Sequence, residues 1–290
     1  MRVMLAGGTG YVGREVAASL AAAGHELRML VHRSTSELPP GAEQVRGDVT
    51  DAASVTAAAE GCDAIVNLVA ILDGSDEQFE AINAGGPRAM VAAAEAHGIK
   101  RIVHMSALGV SAEHAPLTRY WRTKYEGKLA VVESGLDWTV IEPSFVFGRG
   151  GGALRAFEAL VKLPVAPVIG DGRYRHQPVW VGDVATAFVR ALERPQTVAK
   201  TIALGGPQAF TFDELLDELA RVTGRAPRRK VHVPPALVTV QTPLLRRLPP
   251  PLKVTREQIV MLLEGTECDL GPMREQLGIE PASMAEAYTK

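Results

Sequence analysis

The sequence predicts an α/β fold, a Rossmann-type doubly wound parallel sheet with a smaller C-terminal lobe, and three observations carry that prediction. The apolar run Val3-Met4-Leu5-Ala6 enters Gly7-Gly8-Thr9-Gly10-Tyr11-Val12-Gly13 and then the helix-forming Arg14-Glu15-Val16-Ala17-Ala18, which is the order strand, glycine turn, helix. Strand-like and helix-like segments alternate through the first half, as a parallel sheet covered on both faces requires. Of the 290 residues, 47% are apolar, enough for a sizeable core.

Taken in order, residues 3–6 read as a first strand, 16–23 as an alanine-rich helix stopped by Gly24, and 26–31 as a second strand. A third strand is expected around 44–46 and a fourth over 65–70. A long helix over 77–96 leads to a fifth strand over 102–105, then a helix over 118–134 ends at Gly135, and a sixth strand over 138–141 stops before Pro143. After Gly150-Gly151-Gly152 the alternation loosens and prolines become frequent, with a helix over 213–222 and a proline-rich stretch over 231–251. The expected division is a nucleotide-binding domain over 1–150 and a smaller substrate or docking lobe over 151–290. Residues 176–206, which carry a helix over 185–193 and a strand over 201–204, are expected to return to the first domain.

The formal net charge is −2 and the computed pI mildly acidic, so no polyanionic partner is suggested and nucleic acid is not expected. Two local clusters, Arg225 to Lys230 and Arg246-Arg247, read as solvated loop charge, with a docking patch for an acidic protein surface or anionic lipid as the sharper alternative. The two cysteines, Cys62 and Cys268, are far apart and outside any CxxC, so neither a disulfide nor a metal site is expected. The first strand begins at once and no apolar run is long enough to span a bilayer, which predicts a soluble, cytoplasmic protein.

The glycine turn has a chemical reading. Gly7 allows a tight turn, Gly10 lets the backbone approach a pyrophosphate and Gly13 permits close helix packing, while the loop residues Thr9, Tyr11 and Val12 lead into helical N–H groups that point at phosphates. A nicotinamide dinucleotide is the predicted ligand. The residue about twenty positions past the last glycine selects the cofactor, and here stand His32-Arg33. A guanidinium can fork onto a ribose 2′-phosphate, so NADP(H) is favoured and NAD(H) is left open. Asp48 and Val49 are placed to meet the adenine, Asp48 accepting from its amino group; the competing reading is a turn aspartate.

Tyr120 and Lys124 stand four residues apart, on one face of a helix. An ammonium that favours phenolate would bring a tyrosine closer to acid–base use at neutral pH, and Lys124 could also hold ribose hydroxyls. The competing reading is an exposed helix face with an aromatic anchor.

With the N-terminal glycines, Asn67-Leu68-Val69-Ala70, Asn83-Ala84-Gly85-Gly86, His104-Met105-Ser106-Ala107, Tyr120-Trp121-Arg122-Thr123-Lys124 and Pro143-Ser144-Phe145-Val146-Phe147-Gly148, the chain resembles the extended short-chain dehydrogenase/reductase superfamily along nearly its full length. Through Glu126-Gly127-Lys128, residues 177–185 and residues 255–263 it is similar to the atypical subgroup related to the nucleotide-binding accessory subunit of respiratory complex I. The resemblance implies that Gly7, Gly10 and Gly13 form the pyrophosphate loop and that Leu68, Val69 and Ala70 lie beside the cofactor. It further implies that Tyr120 and Lys124 are the active-site pair and that Pro143 contacts nicotinamide. Active relatives carry a Ser or Thr just past the fifth strand; the register puts Ala107 there and the candidate Ser106 one residue early, which implies an incomplete catalytic site.

Three functions are therefore expected in decreasing order. The first is an NADPH-dependent oxidoreductase acting on a carbonyl or hydroxyl group of an unidentified small molecule. The second is a catalytically inert NADP(H)-binding accessory protein, open to association with a respiratory complex or a membrane surface. The third is a sugar-nucleotide epimerase or dehydratase, for which Arg173, Arg175 and His176 are the clustered candidates.

Overall fold

The computed structural model describes residues 1–32, 38–148, 151–152, 154–236 and 255–289, so Arg33, Gly150 and Arg246-Arg247 lie outside the described residues. Two compact units are present, one formed by Met1–Pro143, Val181–Leu204 and Leu270–Glu280, the other by Ser144–Trp180, Gly205–Asp269 and Pro281–Lys290.

In the first unit, β1 (Arg2–Ala6), β2 (Glu26–Val31), β3 (Glu43–Arg46), β4 (Ala64–Asn67), β5 (Arg101–Met105), β6 (Asp137–Pro143) and β7 (Lys200–Leu204) form one sheet. Their order is β7-β6-β5-β4-β1-β2-β3 and every neighbouring pair is parallel. The central strands read as continuous apolar runs because both faces are covered. On one face α1 (Tyr11–Ala22) packs with α6 (Val181–Glu193). On the other, Val55 and Ala58 of α2 (Ala52–Ala59), Met90 and Ala93 of α4 (Gly86–His97) and Val131 of α5 (Arg119–Val132) close over Met4, Ile65, Ile102 and Val140. The doubly wound sheet expected from the alternation is present.

Three elements depart from the sequence expectation, each for a local reason. The first helix begins at Tyr11 rather than residue 16, because Gly10 adopts extended angles and serves as its N-cap. The fourth strand stops at Asn67 instead of running to Ala70, because the Asn67 Oδ1 accepts from the Val69 N–H at 3.0 Å and turns the chain. The single helix expected over 77–96 is α3 (Asp76–Phe79), a π-helical turn Glu80–Gly85, and α4. Pro87 has no N–H for the carbonyl four residues earlier, that of Asn83, and the backbone widens there.

The second unit has its own apolar core, in which Phe147, Ala166, Val168, Phe212, Leu215, Leu219, Leu262 and Met284 are buried. Its helix Phe212–Val222 starts with a capping box between Thr211 and Glu214. Strands Val165–Ile169 and Arg229–Val233 pair in parallel.

Candidate dinucleotide and active site

The strand order reverses between β1 and β4, and in open α/β sheets a ligand binds outside the carboxyl ends of the strands at such a switch point. Both loops leaving that point belong to the predicted site. Gly7 has φ +83°, a conformation that side chains rarely adopt, and a Cβ placed there would meet the Leu68 carbonyl carbon and the Val69 nitrogen at 3.1 Å. The glycine turn therefore lies directly against Leu68-Val69.

The turn is closed by Gly10 N–H donating to the Gly7 carbonyl at 3.1 Å, and α1 starts with Arg14 N–H donating to Gly10 at 3.0 Å. A Cβ on Gly13 would stand 2.0 Å from the Gly7 oxygen, so the first helical turn approaches the loop as closely as backbone can. No side chain caps this helix. Its first N–H groups, at Tyr11, Val12 and Gly13, are the donors that α-helix geometry leaves for an anion. Arg14 folds back, donating to the Thr9 carbonyl at 3.1 Å. Gly8 was not among the predicted site residues, yet a Cβ there would meet Met29 Cε at 2.4 Å and Leu5 Cδ2 at 2.8 Å. The Gly7-Gly8 doublet was the available signal.

At the end of β2 the His32 Nε2 stands 3.1 Å from Asp48 Oδ2, and Asp48 Oδ1 accepts from the Thr50 N–H at 2.9 Å. Asp48 thus shapes its own turn and also faces His32. Val49 is buried in the core, against Gly86 of α4. Asn83 holds the segment that follows Ala70: its Oδ1 accepts from the Ile71 N–H at 2.8 Å and its Nδ2 donates to the Ile71 carbonyl at 3.1 Å.

The second grouping lies on α5, β5 and β6. Thr118 caps α5, its Oγ1 accepting from the Trp121 N–H at 3.0 Å. Tyr120 and Lys124 are both buried, so the exposed-face reading of this pair does not hold. Lys124 Nζ donates to the Met105 carbonyl at 2.5 Å, and burial lowers its pKa to about 8, opposed by the charge of Glu142. Burial pushes the Tyr120 phenol well up, leaving it neutral. The expected phenolate-favouring pull of Lys124 is therefore not the dominant effect: the ammonium is directed to Met105, and loss of water around the phenol decides its state.

Ser106 follows β5 directly, with its N–H on the Ile141 carbonyl at 2.8 Å, and the Leu108 N–H donates to the Pro143 carbonyl at 3.0 Å. The Ser106 hydroxyl is buried and has no hydrogen-bond partner among the described residues. His104 is fully buried and held neutral; the Asn67 Nδ2 donates to its Nδ1 at 3.1 Å, so Nε2 carries the proton. Glu142, Lys128 and His104 were not among the predicted site residues. A lone charge inside an apolar strand, as Glu142 is in Val140-Ile141-Glu142, was the sign that could have found the first.

The glycine loop, the β4 end and α1 are thus brought together, as are Lys124, Met105, Ser106 and Pro143 around the ends of β5 and β6. In the second unit the three epimerase candidates do not form one cluster. His176 is fully buried, stacked on Phe145 with ring centroids 4.6 Å apart and its Nδ1 3.0 Å from Thr266 Oγ1. Arg175 pairs with Glu267 at 3.0 Å, and Arg173 is exposed.

Residues 7–195, well over half of the chain, match the family described as NAD(P)H-binding. The chain belongs to this family. Among curated relatives, NADH dehydrogenase (ubiquinone) 1 alpha subcomplex subunit 9 of Arabidopsis thaliana is 30% identical over 236 residues, 77% of this chain and 58% of that one. The chain thus spans less than two thirds of that relative. The (4-alkanoyl-5-oxo-2,5-dihydrofuran-3-yl)methyl phosphate reductase of Streptomyces griseus is 32% identical over 263 residues, 86% of this chain and 83% of that one. Among solved structures, the UDP-glucose 4-epimerase of Thermotoga maritima superposes with a TM-score of 0.75 at 19% identity, covering 99% of this chain and 96% of that one. The last likeness is one of fold alone. No helix among the described residues is long and apolar enough to cross a membrane.

Proposed function

We propose that the protein is an NADP(H)-dependent oxidoreductase that reduces a carbonyl group of a small molecule. The observation that carries this reading is the buried pair on α5: Tyr120 as a neutral phenol, with Lys124 one turn on and tied to Met105 at the end of β5. The cofactor supplies the hydride when bound. A glycine turn in which a Cβ on Gly13 would collide with the Gly7 oxygen and an uncapped helix N-terminus fit its pyrophosphate, held by Gly7, Thr9, Gly10, Tyr11, Val12 and Gly13. Leu68, Val69, Ala70 and Pro143 line the nicotinamide side, and Asp48 and Val49 the adenine side.

In this mechanism Tyr120 gives its proton to the oxygen of the substrate as that oxygen gains negative charge. A phenol kept protonated by burial suits that direction, since an alkoxide is a far stronger base than a phenolate. Lys124 orients the ribose hydroxyls. Support for NADP(H) over NAD(H) comes from His32-Arg33, where an acidic residue would be needed to accept from a free 2′-hydroxyl. Tyr120→Phe should abolish turnover in a screen of carbonyl substrates and leave NADPH affinity unchanged. Undiminished turnover in that variant removes Tyr120 from the mechanism.

One observation favours a second reading, an NADP(H)-binding accessory protein with no turnover. Ser106 is 3% exposed, and the position after it, where active relatives carry a Ser or Thr, holds Ala107. Such donors are worth about 3–4 kcal/mol of transition-state stabilisation. The likeness to a subunit of mitochondrial NADH dehydrogenase supports the same reading. A nucleotide that copurifies, does not exchange and raises the melting temperature would favour it.

A further inference from the structure

Three charged side chains converge in the interior of the first unit. Lys124 and Lys128 project from one face of α5, a turn apart, toward β5 and β6. Lys128 Nζ pairs with Glu142 Oε1 at 2.8 Å and reaches the Val110 carbonyl at 3.4 Å, while Lys124 Nζ holds the Met105 carbonyl at 2.5 Å. The side chains of Lys128 and Glu142 are 18% and 10% exposed, so this is an ion pair largely removed from water. Glu142 immediately precedes Pro143, and its carboxyl is the negative group that faces both lysines.

We infer that Glu142 is a positioning residue of this site: its carboxylate pins α5 to the end of β6 and keeps Lys124 an ammonium. The relevance to chemistry rests on the reading of Lys124 proposed above. Among the described residues, the other groups facing Lys124 supply no negative charge. On β5, His104 is neutral and Ser106 is a hydroxyl; on α5, Tyr120 is a neutral phenol and Lys128 a second cation. A buried ammonium with no counter-charge gives up its proton, and a buried ion pair that loses one partner leaves the other uncompensated. Burial lowers the Lys124 pKa against the charge of Glu142, and burial raises that of Glu142 against the charge and hydrogen bond of Lys128 first and the charge of Lys124 last. Lys128 makes the direct pair, so it fixes the Glu142 carboxyl where Lys124 can use its field.

The test is the titration of Lys124 itself, followed by the Cε shifts of 13C-labelled lysine in the full chain, with its resonance assigned from Lys124→Arg. Glu142→Gln keeps the shape and removes the charge. The expected result is a midpoint lower by about one pH unit or more, a tenfold change in the ammonium-to-amine ratio. Glu142→Asp should restore most of the shift. An unmoved Lys124 midpoint in folded Glu142→Gln overturns the inference. Where the single variant fails to fold, Lys128→Gln combined with Glu142→Gln replaces the ion pair by two amides and is compared with Lys128→Gln alone; equal Lys124 midpoints in those two variants overturn it equally. Calorimetric titration of NADPH over the same pH range separates the two readings. Wild-type affinity that falls above about pH 8, and earlier in Glu142→Gln, supports both. A shifted Lys124 midpoint with affinity indifferent to pH retains the role of Glu142 and removes Lys124 from the cofactor site.

Discussion

Gly7 and Val69 meet where the strand order reverses: a Cβ on Gly7 would stand 3.1 Å from the Val69 nitrogen. One residue follows β1 and the other lies just past β4, the two strands that flank the switch point. Backbone from both loops therefore comes together at the switch point, where a dinucleotide's pyrophosphate would approach.

Gly13→Ala should damage this site first. The added Cβ would fall 2.0 Å from the Gly7 carbonyl oxygen, a backbone atom that cannot move without opening the turn. NADPH affinity measured by calorimetry should fall at least about tenfold, close to 1.4 kcal/mol, with far-ultraviolet circular dichroism unchanged. Wild-type affinity in this variant would exclude the loop from the binding site.

Gly127→Ala tests the packing that carries Tyr120 and Lys124. Its Cβ would stand 2.3 Å from the Asn83 carbonyl oxygen and 3.0 Å from Pro87 Cγ, where α5 lies against the π-helical turn. Overpacking of this kind costs about 1–3 kcal/mol, to be read as a lower denaturation midpoint at unchanged m-value.

Arg33 decides the cofactor in the proposed reading. Arg33→Ser should weaken NADPH binding by about tenfold or more, since charge-assisted forked bonds to phosphate are among the strong hydrogen bonds, while NADH affinity stays level. Equal losses for both nucleotides would mean that Arg33 does not read the 2′-phosphate.

Mild acid should destabilise the fold through its buried histidines. His104 is buried and neutral, its pKa well below the ordinary value, and burial lowers that of His176 to about 4. Above about pH 6.5 both are neutral folded and unfolded. As the pH falls from about 6.5 toward 4 the unfolded chain takes up protons that the folded chain refuses, so stability declines across that window. Urea midpoints at pH 7, 6 and 5 should fall in order, and His104→Asn should reduce the slope. A flat series would show that the histidines gain water or partners in solution.

Much of the first unit was legible in sequence. The second strand was read over 26–31 and the structure has Glu26–Val31; the helix read over 118–134 is Arg119–Val132 with Thr118 as its cap. Periodicity and glycine punctuation are local, and here local preference agrees with the fold. The misread boundaries are those that a side chain or a missing donor sets: Asn67 ends β4 and Pro87 breaks the long helix.

The sequence by itself determined the doubly wound class, the glycine turn and the spacing of Tyr120 and Lys124, because each depends on residues near one another in the chain. Only the tertiary structure decided the state of those groups. Burial holds Tyr120 neutral and lowers Lys124 to about 8, the Ser106 hydroxyl is shut in without a hydrogen-bond partner among the described residues, and Lys128 pairs with the Glu142 carboxyl across 14 residues of chain. Desolvation and charge pairing depend on what surrounds a group in space, and residues from α5, β5 and β6 come together only in the folded unit.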